Sequence, residues 1–564
     1  MVFKADYKFS IFDKFLFLKI YKLRFYQILS RIHFMKFTHI PFHKTGFFSK
    51  TMTDYLDQKE SIKQFYNNFP DMKGFASQIQ EKATSFPQVT RKELVTVLQD
   101  QYSNIIASEA TLENIKSLEN KDTFTITTGH QLNLFTGPLY FLYKILSTIN
   151  LSETLAEQFP MQRFVPVYWM ATEDHDFEEI NYFNFKDKKV TWDRPEGGAV
   201  GRFSLEGLQE VFASFSKQLG DSKNAIFLSQ LFEKAYVSQN NLADATRYIA
   251  NELFKSYGLV ILDADDQRLK NIFAPLMKDE LLNQTSKKAV SKTILNLEKD
   301  YKVQVNPRDI NLFYLTENSR ERIIENEGQY PIHNTDLVFS EAEILNELEN
   351  HSDRFSPNVI MRPLYQEVIL PNLCYIGGGG ELAYWLQLKA YFEAVEIPFP
   401  ILLLRNSVQI VSKKQVKKLH NLDISFEEMF MEQHLLLAKK VQENSDIQFS
   451  FTDATELLTQ QFLALRRIAN DTDVSFIGAV DAQQRKQLKG LENLEKRLLR
   501  AEKRKHFLLI NRIKSLQDQL LPNKSLEERQ RNFSEYYLAH GHDLIIALKE
   551  SLKPLEQAFT ILEL

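Results

Sequence analysis

Four consecutive glycines, Gly377–Gly380, separate an apolar run from a segment with helical patterning. A stretch without side chains lets the backbone turn tightly and approach another group closely. Here it marks a strand-to-helix junction. Two other junctions of this kind carry dense polar clusters, Thr127-Thr128-Gly129-His130-Gln131 and Glu173-Asp174-His175-Asp176. Strands that alternate with helices predict a parallel, doubly wound α/β sheet. Ligands of such sheets sit outside the carboxyl ends of the strands. The three clusters are therefore expected to converge on one crevice.

Along the chain, residues 52–118 read as helices and Thr123–Thr128 as a strand, followed by a loop over Gly129–Gly137. Pro138 opens a helix to about Ala156, because proline fits the first helical turn. Phe164–Ala171 is a predicted strand that ends in the acidic cluster. Leu259–Leu262 is another, and it ends in Asp263, Asp265 and Asp266 before a helix over Gln267–Asn283. Val359–Arg362 and Val368–Ile376 read as strands, Glu381 to about Val395 as a helix, and Pro400–Leu404 as the last strand. Stretches near 184–250 and 286–350 read as insertions, with Pro195-Glu196-Gly197-Gly198 as a turn.

From Ser407 onward glycine nearly vanishes. Apolar residues recur at heptad spacing at Leu491, Leu494, Leu498 and Ala501, then at Leu509, Ile513, Leu516 and Leu520, with a shift near Lys505 of the kind a four-residue stutter produces. Pro522 ends the pattern. The partner helix is expected at Ser425–Val441 or around Leu457–Asn470. The domain reading is 1–34 as a non-native or disordered extension, 35–406 as the α/β core, 407–540 as a helical coiled coil and 541–564 as a tail.

The net charge of −4 gives no global field for nucleic acid or a membrane surface. The single cysteine, Cys374, rules out an internal disulfide framework and a multi-cysteine zinc site. Its apolar surroundings predict a buried core residue rather than a nucleophile, and the cytoplasm is the expected compartment. Lysines break up the apolar residues of the first 34 positions, as in Phe15-Leu16-Phe17-Leu18-Lys19, too often for a signal-peptide core, and the stretch is too short for a membrane span. Met35 is expected to be the working start.

The polar clusters have chemistry to offer. Gly129-His130-Gln131 either binds phosphate or carboxylate at a helix start, with His130 stabilising charge or donating a proton, or serves as a tight turn and cap. Glu173, Asp174, His175 and Asp176 repel one another unless a metal ion, a substrate amine or arginines compensate them. Arg362 suits two-point recognition of a carboxylate, and Tyr384 or Trp385 suits stacking on a ring. The lysines around Ser412-Lys413-Lys414 read as a solvated helix start rather than a phosphate loop. No P-loop, nucleophile elbow, zinc-protease signature or dinucleotide fingerprint occurs.

Taken together, Thr128-Gly129-His130-Gln131 through Leu134-Phe135-Thr136-Gly137-Pro138-Leu139-Tyr140, Val165-Pro166-Val167-Tyr168-Trp169 with Glu173-Asp174-His175-Asp176-Phe177, Arg362-Pro363-Leu364 with Gln366-Glu367, and Gly377–Gly380 with Glu381-Leu382-Ala383-Tyr384-Trp385 resemble the bacillithiol biosynthesis protein BshC family. His39-Ile40-Pro41 resembles the start of such proteins, and the likeness spans about residues 36–550. It implies a Rossmann-like core of the class I nucleotidyltransferase type, connecting-peptide insertions, a C-terminal coiled coil and a homodimer. His130 departs from the many members with glutamine at this position.

The resemblance implies a ligase that adds cysteine to glucosaminyl-malate by activating a carboxylate as an adenylate or acyl phosphate, with ATP (or bound ADP), with or without Mg2+. No nucleic acid and no membrane are expected among its partners. The implied catalytic residues are His130, Asp174, His175, Asp176 and Arg362. The implied nucleotide-binding residues are Gly129, Gln131, Gly137, Lys144, Gly377, Gly378, Gly379, Gly380, Glu381, Tyr384 and Trp385, and no metal ligand is implied. Two other readings stand beside this one: a metal-dependent hydrolase or transferase using Asp174, His175 and Asp176, and a non-catalytic coiled-coil scaffold.

Overall fold

The computed structural model describes residues 36–194, 197–447 and 449–564. The expected extension, Met35 and the Pro195-Glu196 half of the expected turn lie outside the described residues. The chain forms two compact units. One comprises the described residues up to 43 together with 47–410 and 527–564, and the other comprises 44–46 and 411–526.

The first unit is built on five parallel strands: β1 (Thr123–His130), β2 (Arg163–Met170), β3 (Val260–Asp263), β4 (Asn372–Gly377) and β5 (Ile401–Leu404). Their order across the sheet is β5-β4-β1-β2-β3. The chain steps outward from β1 through β2 to β3, then returns to the other side of β1 for β4 and β5. The strand order therefore reverses between β1 and β4, which is where ligands settle on doubly wound sheets. All eight residues of β1 are buried, as a strand covered on both faces requires. Its threonines stay satisfied there: Thr127 Oγ1 donates to Asn372 Oδ1 (2.8 Å) and Thr128 Oγ1 to the Ile376 carbonyl (2.8 Å).

Four helices position the site: α1 (Tyr140–Gln158), α2 (Gln267–Asn283), α3 (Arg362–Ile369) and α4 (Gly379–Trp385). Asp266 caps α2 by accepting from Arg268 N at 2.9 Å. Leu151 and Leu155 of α1 join Phe124, Ile126, Cys374, Ile376, Ile401 and Leu403 in one apolar core. Cys374 is a buried free thiol, and burial pushes its pKa well above the ordinary value.

Several expected boundaries are corrected. Val359–Arg362 is a turn running into α3, not a strand, because Pro363 sits at the start of a helix where its missing N–H costs nothing. Residues 368–371 end that helix and turn, so β4 begins only at Asn372. The helix expected from Glu381 to Val395 is two short ones, α4 and Lys389–Ala394. β1 runs through His130, two residues past the expected strand end.

The insertion near 184–250 holds the hairpin Tyr182–Phe185/Lys188–Thr191 and three helices. The one near 286–350 holds the helices Thr285–Leu297 and Glu341–Asn350 and the paired strands Leu312–Leu315 and Arg320–Arg322. Lys36–Pro41 pairs antiparallel with Ala558–Glu563, Ile40 facing Phe559.

In the second unit, Thr452–Thr472 packs along Val474–Lys505 through Phe462, Ala469 and Val480. Gln433–Glu443 packs on Phe507–Leu520, so both expected partner segments are engaged. In place of a stutter, the helix breaks at His506 (φ −90, ψ 26). Ile513, Leu516 and Leu520 are buried, whereas Leu494 is 52% exposed. Lys413–Asn421 is a helix whose Ser412 cap accepts from Gln415 N. Among the described residues no helix is long and apolar enough to cross a membrane.

Candidate active site

A cavity of about 780 Å³ opens at the carboxyl ends of β1–β4. It is walled by Gly129, His130 and Gln131 after β1, by Trp169 through His175 after β2, by Ala264 after β3, and by Tyr375, Glu381 and Tyr384 around the end of β4. Arg362 at the head of α3, Lys144 on α1, and Arg308, Phe313 and Arg320 from the second insertion complete it. Two of the three clusters singled out in the sequence thus line one opening with part of their residues, and the glycine run reaches it only through Glu381, the residue that follows it.

The strand-order reversal is bridged by Lys144. Its Nζ is buried, donates to the Gly129 carbonyl at the end of β1 (2.7 Å), and forms an ion pair with Glu381 beyond β4. Burial lowers the lysine pKa and Glu381 opposes that shift. Tyr375 OH donates to the other Glu381 oxygen at 3.0 Å. A Cβ at Gly377 would lie 2.9 Å from both Glu381 Oε2 and the Tyr375 ring. The first glycine of the run therefore makes room for the carboxylate that holds Lys144. A Cβ at Gly129 would come within 3.1 Å of the Tyr375 hydroxyl.

Arg362 is set among aromatic rings, its guanidinium 5.5 Å from the centroid of Tyr375 and 5.9 Å from those of Trp169 and Trp385. It donates to Gln366 Oε1 (3.2 Å) and Tyr384 OH (3.4 Å). Among the described residues no carboxylate lies within 4 Å of it. Its orientation is set from below. Glu367, paired with buried Lys82 at 3.1 Å, accepts from the Gln366 amide at 3.0 Å and from Asn372 at 2.6 Å. With its amide nitrogen so committed, Gln366 turns its carbonyl toward Arg362.

His130 is buried against Tyr140 and Phe141. Burial, reinforced by the Lys144 charge, drives its pKa well below the ordinary histidine value, while a hydrogen bond with the Thr136 backbone opposes the shift. The ring is therefore neutral. Its Nε2 is buried without a hydrogen-bond partner among the described residues. A buried nitrogen of this kind is completed by an ordered water or by a ligand group.

The acidic clusters are already compensated. Glu173 Oε1 lies 2.6 Å from the fully buried Lys270 Nζ, an ion pair outside hydrogen-bonding angles. Lys270 also meets Asp265 at 3.2 Å, and Arg202 grips Asp265 through two bonds of 2.7 and 2.8 Å. Asp263 accepts from Thr172 at 2.5 Å. Gln131 Nε2 donates to both Asp174 and Glu179 at 2.9 Å, and Asp174 also accepts from His175 N. Among the described residues no three His, Cys, Asp or Glu side chains are arranged to hold a metal ion.

Of the residues expected at the site, Gly129, His130, Gln131, Lys144, Asp174, His175, Arg362, Glu381 and Tyr384 line the cavity. Asp176, Gly137, Gly377–Gly380 and Trp385 are not among its lining residues. Asp176 is exposed and caps the short helix Phe177–Ile180. Gly137 sits in a turn braced by Asn532, which donates to its carbonyl at 2.6 Å. Trp385 is fully buried and stacks on Tyr375 with centroids 4.6 Å apart. Sequence reasoning missed Tyr375, hidden in an apolar strand, and Arg308 and Arg320, which lie in a stretch without a motif.

Two family models match the chain: "Bacillithiol biosynthesis BshC, N-terminal Rossmann-like domain" over residues 35–406, and the C-terminal coiled-coil domain of the same family over 408–564. A protein of Flavobacterium johnsoniae named "Putative cysteine ligase BshC" is 56% identical over 93% of this chain and 99% of its own length. One of Christiangramia forsetii with the same name is 54% identical over 93% of this chain and 98% of its own. A crystal structure from Campylobacter jejuni described as a "putative arginyl t-RNA synthetase" covers 78% of this chain and 98% of its own at 11% identity, and its TM-score of 0.21 is too low to support any structural argument. The chain belongs to the bacillithiol biosynthesis BshC family.

Proposed function

We propose that this member of the bacillithiol biosynthesis BshC family joins the carboxylate of cysteine to the amine of glucosaminyl-malate, with ATP activating the carboxylate. The observation that carries the reading is Arg362. It is a guanidinium held in place by Gln366 and Tyr384, facing a cavity, with no carboxylate of the described chain within 4 Å and only the Lys144-bound Glu381 acting on it from farther away. Such a group is built for an anionic substrate. The names of the relatives, cysteine ligases, agree with amide-bond formation.

A nucleotide fits the residues present. Lys144 and Arg362 offer positive charge, and the orphaned His130 Nε2 offers an acceptor for a ligand hydroxyl. When bound, ATP supplies the leaving group that a free carboxylate lacks. The chain's own residues do the rest. Arg362 anchors a carboxylate in a fixed orientation. Lys144, immobilised by Gly129 and Glu381, holds positive charge where negative charge gathers. Asp174, on the cavity wall, takes the proton released by the attacking amine. The neutral His130 binds rather than transfers a proton. In this reading the protein acts as a homodimer joined through the exposed part of the Leu491–Leu498 seam.

The test is reconstitution with cysteine, glucosaminyl-malate and ATP, reading AMP, ADP and the amide product together. Amide formed with stoichiometric AMP or ADP is expected. ATP left intact and no amide would refute the proposal.

A further inference from the structure

The second insertion brings its own charges to the cavity. Phe313 lies on the strand Leu312–Leu315 and Arg320 on the antiparallel strand Arg320–Arg322, with Arg308 in the preceding loop. The Arg320 guanidinium stacks 4.0 Å from the Phe313 centroid, and that of Arg308 lies 5.7 Å from it. Arg320 is held by Ser356 Oγ (3.0 Å), the Pro357 carbonyl (3.1 Å) and His175 Nδ1 (2.9 Å). The exposed Arg308 side chain makes no hydrogen bond or ion pair among the described residues. Neither guanidinium has a carboxylate of the described chain within 4 Å. Of the acids on the cavity wall, Glu173 pairs with Lys270 and Glu381 with Lys144, while Asp174 and Glu179 accept from the neutral Gln131 amide; Glu173, Asp174 and Asp265 act on Arg320 only from beyond ion-pair distance.

Two planar forks flanking an apolar ring match a small molecule with two carboxylates on a short aliphatic spacer. They stand on the insertion, apart from the β1–β4 junction where Lys144 sits. We infer that Arg308 and Arg320, over Phe313, form a subsite for the dicarboxylate end of the amine acceptor. The inference rests on the ligase reading above and adds the residues that select the acceptor. In this arrangement malate is the handle by which the sugar amine is brought to the activated carboxylate.

Because Arg320 also ties three neighbours together, R308A carries the test. Steady-state kinetics of the full chain would compare glucosaminyl-malate with methyl α-glucosaminide, which keeps the amine and lacks both carboxylates. In R308A the KM for glucosaminyl-malate is expected to rise about tenfold with kcat changed by less than about twofold, the pattern of lost uniform binding. KM for cysteine and ATP should not move, and wild type and R308A should be indistinguishable on methyl α-glucosaminide. An unchanged acceptor KM overturns the inference. So does a rise in the ATP KM instead, which would make this a phosphate site. If wild type forms no amide from any acceptor, the ligase reading fails by itself. Calorimetric titration with malate alone then decides the subsite: binding that weakens in R308A supports it, and no binding to wild type overturns it.

Discussion

The two sides of the sheet rim handle charge in opposite ways. After β2 and β3 the chain is crowded with acids, yet the most buried of them are neutralised, Glu173 and Asp265 by Lys270 and Asp265 again by Arg202, while Asp174 is only oriented by the Gln131 amide. Between β1 and β4 the charges are sparse, and one of them, Arg362, has no carboxylate of the described chain within 4 Å, feeling Glu381 only at longer range. Density of ionisable residues in a sequence therefore says little about which of them remain available to a ligand. Availability depends on what the fold brings against them, and here the fold neutralises Glu173 and Asp265 and spares an arginine.

The strongest test of this contrast is R362A. Losing an anion anchor in a desolvated site should cost roughly 10³-fold in kcat/KM, about 4 kcal/mol. Thermal stability should fall by no more than about 2 kcal/mol, since the side chain donates only to Gln366 and Tyr384 and otherwise rests against Trp169, Tyr375 and Trp385. Activity near wild type in R362A would erase the distinction between the two sides. On the acid side the expectation reverses. K270M leaves Glu173 buried without its ammonium, while Arg202 still holds Asp265, and should lower folding stability by about 3 kcal/mol in chemical denaturation, because breaking a buried ion pair strands a charge. A K270M protein as stable as wild type would show that the acids are not held as described.

A third prediction concerns pH. His130 is buried neutral and its pKa in the folded chain is depressed, so below the ordinary value of 6.5 the unfolded chain takes up a proton that the folded one refuses. Stability from this group is complete above pH 6.5 and is lost as pH falls toward the depressed folded value. H130Q should therefore lose less stability than wild type when pH is lowered from 6.5 to about 5, as read from urea midpoints. Equal losses would mean that the ring is not buried in its neutral form. The smallest effect is expected for D176A. Removal of a helix cap costs about 1 kcal/mol, and amide formation should persist, since Asp176 caps Phe177–Ile180 rather than lining the cavity.

The strand ends were legible in sequence because β-branched runs followed by polar clusters recur there, and α2 follows the Asp266 cap to its expected last residue. Arg362 stands out in the sequence as a side chain, but its element does not. Its neighbours Val359 and Ile360 suggest a strand, and only Pro363 hinted at a helix start. Lys270, Arg308 and Arg320 left no local trace. Lys270 acquires its meaning from Glu173 and Arg320 part of its own from His175, each about a hundred residues or more away in the chain, while the nearby Phe313 contact of Arg308 and Arg320 depends on a hairpin pairing that no motif announces. The glycine run was the most visible feature. Its first residue works at one remove, giving the Glu381 carboxylate the space to reach Lys144.

Lys144 has a mechanical consequence as well as an electrical one. Where a doubly wound sheet changes direction, its crossovers diverge and leave a natural cleft between adjacent strand ends. An ammonium clamped to a carbonyl on one lip and to a carboxylate on the other fixes the width of that cleft before any guest arrives. The visitor then meets a rigid frame whose field is already oriented, so little of the binding free energy is diverted into reshaping the host.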